Sequence, residues 1–239
     1  MSNWPETKPS FRLARPCSCI DGLPADCDSG YCSEMISADD ALERLREGNR
    51  RFVSDEVSKD AIASREHRGG AATPQNPFAI ILACSDSRVP TELIFDRGIG
   101  DLFVIRVAGN IVAPSQIGSI EYAAKQFGTR LVVVLGHSNC GAIIATLQEL
   151  ALKDSHRSPN LRAIVDRVRP AVEPIMKDRP NVDDEAVIDS CVRANVRASV
   201  DKLQHGSLIL ENLVMADNLK IVGAEYSIET GEIEFFEEH

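Results

Sequence analysis

Two short apolar runs, each leading straight into a cluster of sulfur, imidazole and carboxylate side chains, constrain this chain more than any other feature. Phe78-Ala79-Ile80-Ile81-Leu82 leads into Ala83-Cys84-Ser85-Asp86-Ser87-Arg88-Val89-Pro90. Leu131-Val132-Val133-Val134-Leu135 leads into Gly136-His137-Ser138-Asn139-Cys140-Gly141. Apolar, β-prone runs of this length read as buried strands. In open α/β sheets, ligands gather beyond the C-terminal ends of the strands. The pattern therefore predicts that Cys84, His137 and Cys140 meet at one end of a sheet.

The rest of the chain supports that sheet. Leu102 to Val107 and Leu219 to Tyr226 read as further strands, and Ile233 to Phe236 closes a hairpin after the turn Glu229-Thr230-Gly231-Glu232. Helical patterns lie at 115–127, 142–152, 161–176 and 184–204, with Pro170 and Pro174 expected to kink or break the third. Strands alternating with helices predict an α/β fold: four parallel strands plus an antiparallel C-terminal edge strand, flanked by helices on both faces. A helix over 38–53 begins at Ser37 as N-cap with Asp40 three residues on. Its apolar stripe, Leu42, Leu45 and Phe52, is sparse, which suggests thin anchoring and a place across a partner subunit. Residues 55–76 read as loop.

Cys84, His137 and Cys140 are ligands of the kind zinc takes, and three protein ligands leave a fourth tetrahedral position open, as in catalytic sites. A thiolate pair largely neutralises the metal's charge, so a bound water is less acidic than with three imidazoles. Asp86 and Arg88 stand beside the first ligand. Arg88 can hold the carboxylate in a bidentate pair, and Asp86 can orient a metal-activated nucleophile. Gly141 lets the backbone approach the ligand set closely.

Composition excludes some partners. Formal net charge is −10 and the chain has no apolar run near the ~20 residues a membrane span needs. A nucleic-acid or anionic-membrane partner favours a basic face instead. No apolar leader opens the sequence, and seven cysteines point to metal or redox chemistry in a cytoplasmic protein more than to a disulfide framework. Residues 1–36 form a separate, irregular, cysteine-rich extension, with 37–239 as the α/β domain. Cys17, Cys19, Cys27 and Cys32 offer four thiolates for a second metal, although their spacing fits no common zinc pattern.

Taken together, Cys84-x-Asp86-x-Arg88 and His137-x-x-Cys140 resemble the β-class carbonic anhydrases. The likeness runs from about Ser37 to Phe236 and includes Gly100 to Arg106, Ala108-Gly109-Asn110, Glu121-Tyr122-Ala123 and Ile221 to Ala224. The resemblance implies zinc on Cys84, His137 and Cys140, reversible hydration of carbon dioxide to bicarbonate, and a homodimer or higher homo-oligomer with the site at the interface. It also implies a substrate pocket that includes Gln75, contributed from the adjoining subunit, and the aromatic positions Phe103 and Tyr122. Ile81 stands where bicarbonate-regulated members carry tryptophan, which implies the open type with water as fourth ligand. His67, His156, His205 and His239 are candidate proton carriers that also fit an ordinary surface. Cys191 reads as core packing and Arg97 as a solvated charge. Two other readings share these residues: a hydrolase of carbonyl sulfide or carbon disulfide, and a non-catalytic zinc-stabilised scaffold or sensor. Asp86 and Arg88 argue against the last, since structural zinc has no need of them.

Overall fold

Strand β3 (Leu131–His137) is buried along its whole length. Its sequence is continuously apolar because both faces of a central parallel strand are covered. It pairs in parallel with β1 (Ala79–Ala83) on one side and with β4 (Lys220–Tyr226) on the other. Strand β2 (Leu102–Arg106) adds in parallel outside β1, and β5 (Ile233–Phe235) adds antiparallel outside β4. The order is β2-β1-β3-β4-β5, the sheet expected from the sequence. A computed structural model describes residues 36–56, 75–151, 158–216 and 219–236. The four cysteines of the extension, with His67, His156 and His239, lie outside the described residues.

Period-two alternation divides the core. Ile81, Leu131, Val133 and Leu135 face helices α1 (Ala38–Val53) and α2 (Thr91–Ile94) through Ala41, Leu42, Leu45, Ile94 and Phe95. Ile80, Leu82, Val132 and Val134 face α3 (Pro114–Gln126), α6 (Glu185–His205) and α7 (Leu208–Ala216) through Ile120, Ala123, Val196, Leu203 and Leu210. A third cluster lies beyond the strand ends. There α4 (Gly141–Ala151), α5 (Pro159–Asp178) and α6 pack Ile143, Leu147, Val168, Val172 and Cys191 around Cys84 and Cys140. Helix α6 comes close to the sheet because Gly136 has no side chain: a Cβ there would sit 2.6 Å from Val196 Cγ2.

Four differences from the sequence reading have physical causes. Helix α1 starts as expected, with Ser37 Oγ accepting from Asp40 N at 3.1 Å, but it is firmly anchored on its own chain. Ala41 and Gly48 complete the apolar stripe, and Asn49 donates to the carbonyls of Ile94 (3.1 Å) and Gly231 (2.8 Å) while accepting from Ile233 N (2.9 Å). Helix α5 runs unbroken through Pro170 and Pro174. Both prolines are exposed, on the side of the helix away from the buried Val165, Val168 and Val172, so their rings meet no core packing. Helices α2 and α7 were not anticipated: the first is four residues long, and the second is so evenly apolar that no helical period stands out. Finally, β3 extends to His137, so the histidine is the strand's last residue.

Candidate metal centre

The two strand ends meet. The Sγ atoms of Cys84 and Cys140 and a ring nitrogen of His137 lie within 4.8 Å of one another, and all three residues are buried. Cys84 follows β1 directly, and Cys140 immediately precedes α4, its carbonyl accepting from Ile144 N at 3.0 Å. The positive end of that helix favours a thiolate. His137 Nδ1 lies 2.9 Å from the carbonyl of Ser138, which accepts its proton and leaves Nε2 with a lone pair. Nε2 is buried and has no hydrogen-bond partner. An orphaned imidazole nitrogen beside two thiols is the donor set that zinc takes, so the residues fit a metal ion.

The thiols are electronically unequal. A hydrogen bond from Cys140, then contacts from His137 and from Gly109 N–H, lower the pKa of Cys84. The same Cys84 contact, with burial, raises Cys140. The contacts thus favour negative charge on Cys84 over Cys140. Gly109 N–H donates to Cys84 Sγ at 3.3 Å. Gly109 has a φ of 69°, and a Cβ there would press to 3.2 Å from Ala142 Cβ, so conformation and tight space both favour glycine.

Asp86 and Arg88 form the bidentate pair that their spacing suggested. Arg88 Nε donates to Oδ1 (2.9 Å), Nη2 to Oδ2 (2.8 Å), and the Arg88 backbone N–H to Oδ1 (3.0 Å). That guanidinium holds the Asp86 carboxyl far below the usual carboxylate range. Arg88 Nη2 also approaches the carbonyl of Asn139, at 3.5 Å, linking the two ligand loops. Asp86 Oδ2 lies 3.8 Å from His137 Nε2, so a carboxylate oxygen stands beside the ligand atoms while remaining turned to its arginine.

Sequence reasoning assigned no role to several residues that shape this end. Arg106 donates from Nε to the carbonyl of Cys84 (3.1 Å) and from Nη2 to that of Asp86. Asn195 and Ser199 hold the Gly109 turn from α6. A polar residue at a buried helical position was the available signal for Asn195. Arg97, read as a solvated charge, instead stacks 5.3 Å from the Phe78 ring centroid and donates to the carbonyl of Arg44. His205 is an exposed residue at the end of α6, and Cys191 is core, as expected.

The pocket residues lie elsewhere. Phe103 is aligned with Ile80, four residues before Cys84, or about 13 Å back along the strand direction. Phe103, Tyr122 and Phe127 form one aromatic cluster, with ring centroids 5.6–6.4 Å apart, and Tyr122 is 54% exposed. Gln75 is exposed ahead of β1, at the opposite end of the strand from Cys84. Gly141 opens α4 beside Cys140, and a Cβ there meets no atom within 4 Å, so nothing in this subunit's packing demands glycine.

Comparisons with known proteins agree with this geometry. The sequence profile of the carbonic anhydrase family matches residues 79–233, from β1 into β5. "Carbonic anhydrase 2" of Mycobacterium tuberculosis is 38% identical over 192 residues, spanning 80% of this chain and 89% of its own length. The solved β-carbonic anhydrase CcaA superposes with a TM-score of 0.64 at 27% identity, covering 82% of this chain and 95% of that one. The Coccomyxa β-carbonic anhydrase, solved with acetazolamide, gives 0.64 at 25% identity, covering 82% and 86%. Profile, relatives and fold agree: the chain belongs to the β class of the carbonic anhydrase family.

Proposed function

We propose that the protein is a zinc-dependent carbonic anhydrase, interconverting carbon dioxide with bicarbonate and a proton. The observation that carries this reading is the juxtaposition of three metal-type donors with an arginine-held carboxylate. Cys84, His137 and Cys140 would hold a zinc ion, which would supply Lewis acidity to activate a water as nucleophile. The chain's residues do the rest. Arg88 keeps Asp86 ionised, so its carboxylate can accept a hydrogen bond from the nucleophile but cannot donate one. That acceptor would orient the nucleophile by holding its proton on the side of Asp86. By occupying both carboxylate oxygens, Arg88 also holds Asp86 back from the metal-type donors, which would suit the open arrangement expected from Ile81.

The apolar third core cluster forms the floor under the two thiols. Gln75, Phe103 and Tyr122 are too far along the strands to reach the metal ligands of their own subunit. We assign them to the site of a second copy, whose metal end they would wall off in a homodimer or larger homo-oligomer. Gly141 leaves room for that meeting. The relatives named carbonic anhydrase favour carbon dioxide over its sulfur analogues, and the Asp86–Arg88 pair disfavours a purely structural zinc. No helix of the described residues is long and apolar enough to cross a membrane. A cytoplasmic setting would keep the ligand thiols reduced.

Stopped-flow hydration of carbon dioxide by the zinc-loaded protein tests the reading. Fast turnover, abolished when a chelator strips the metal, is expected. A protein with one zinc per chain and no hydration activity would overturn it.

A further inference from the structure

The backbone N–H that reaches Cys84 belongs to an unusual turn. Gly109 (φ 69°) and Asn110 (φ 41°) are consecutive left-handed residues. Asn is among the few non-glycine types that tolerate this region, and two such residues in sequence need outside support. That support comes from one face of α6. Asn195 Nδ2 donates to the carbonyl of Gly109 at 2.9 Å, and Ser199 Oγ donates to the carbonyl of Asn110 at 3.3 Å. The two residues are one helical turn apart. Asn195 is 2% exposed and flanked on α6 by Val192 and Val196, where an amide is costly to bury without a partner. The N–H of Gly109 itself, carried on the preceding peptide group and joined to the clamped carbonyl through the Gly109 Cα, is presented to the Cys84 sulfur at 3.3 Å.

A hydrogen bond to a metal-binding thiolate withdraws charge from sulfur and weakens its donation, leaving the metal a stronger Lewis acid. The effect matters most where two thiolates already neutralise the ion. We infer that Asn195, assisted by Ser199, is a positioning residue for the proposed reaction: from α6 it clamps the Gly109 turn so that its N–H tunes the Cys84 sulfur. This rests on the metal reading above.

The test uses the full chain loaded with cobalt(II) in place of zinc, and reads the sulfur-to-cobalt charge-transfer band, the metal content and the steady-state constants. Asn195→Ala is expected to keep one metal per chain and to move the band to lower energy, as sulfur lone pairs lose their hydrogen bond. Its kcat for carbon dioxide is expected to fall about tenfold, with KM little changed, in line with outer-shell substitutions at other metal sites. Leu203→Val, also on α6 and fully buried away from the turn, is the control for simple destabilisation. It should lower the melting temperature and leave the band in place. A band and kcat for Asn195→Ala that match those of Leu203→Val overturn the inference. Should Asn195→Ala fail to fold, Ser199→Ala takes its place with a smaller shift of the same sign, and an unmoved band there overturns the inference. A wild-type protein that shows the thiolate–cobalt band yet hydrates no carbon dioxide refutes the proposed function, and the band comparison still decides the clamp.

Discussion

The two ends of the parallel strands contrast sharply. At the C-terminal end, one subunit by itself brings together three metal-type donors, a carboxylate and its arginine within a few ångströms. Toward the N-terminal end lie the residues expected to meet substrate: Gln75 in the approach to β1, and Phe103 and Tyr122 in an aromatic cluster that reaches the surface. The first group is self-sufficient, because parallel neighbours deliver their C-terminal residues to the same edge. The second lies away from the metal-type donors of its own chain. The donor cluster is thus complete in the single chain, while the substrate pocket is proposed to need an assembly.

The largest expected effect is at the self-sufficient end. Cys140→Ser removes a thiolate donor, so metal content by mass spectrometry or atomic absorption should drop to near zero and hydration with it. Full zinc occupancy in that variant would mean that Cys140 is not a ligand. Asp86→Ala sharpens the division of labour inside the site: zinc should stay at one per chain while kcat falls by roughly 10²-fold or more, the usual scale for losing a positioned proton-handling group. Unchanged turnover would remove Asp86 from the mechanism.

The contrast between the two ends can be broken directly by mixing inactive chains. Cys140→Ser subunits mixed with Gln75→Ala,Tyr122→Ala subunits would form hybrids in which one site carries both lesions and the other carries none. If the pocket is shared across a two-fold interface, random pairing should restore about a quarter of wild-type sites. No recovery in verified hybrids would place the pocket within one chain.

A smaller effect concerns pH. Burial, and then Asp189, raise Glu225, on β4 opposite Gly136, to about 7. Because its folded pKa is above its unfolded one, the native state holds the extra proton between the two values. Stability therefore falls as pH rises from about 4.5 to about 7. Glu225→Gln should flatten that part of the melting-temperature profile, and an unaltered slope would show that other groups set it. Least of all should change on removing residues 1–36, proposed as an appendage to the α/β domain: zinc content and kcat should both be retained. A truncated chain that binds zinc but does not turn over would give the cysteine-rich segment a part in the reaction.

Much of this was readable from spacing alone. Cys84, Asp86 and Arg88 are close in sequence and close in space, so their chemistry was legible before any fold was known. His137 and Cys140 needed only the further step that β1 and β3 are neighbours. What was missed was of another kind. Pro170 and Pro174 look like helix breakers until both prove to sit on the exposed face of an unbroken helix. Helix α1 looks weakly held until Asn49 is seen bonded to both α2 and the β4–β5 turn.

The sequence by itself therefore determined the sheet, the cluster of metal-type donors and the carboxylate beside it, because these follow from local periodicity and from the few chemistries that Cys, His and Asp support. Only the tertiary structure decided which backbone groups hold those ligands. Gly109 N–H reaches Cys84 from 25 residues away, Arg106 grips two carbonyls of the first ligand loop, and Asn195 supports the turn from 86 residues further along the chain. Every residue carries a backbone C=O and all but proline an N–H, so composition and spacing cannot mark the ones a fold brings to bear. Their selection depends on how α6 packs against the sheet, which is fixed by the small residue at Gly136 and the shape of Val196 together.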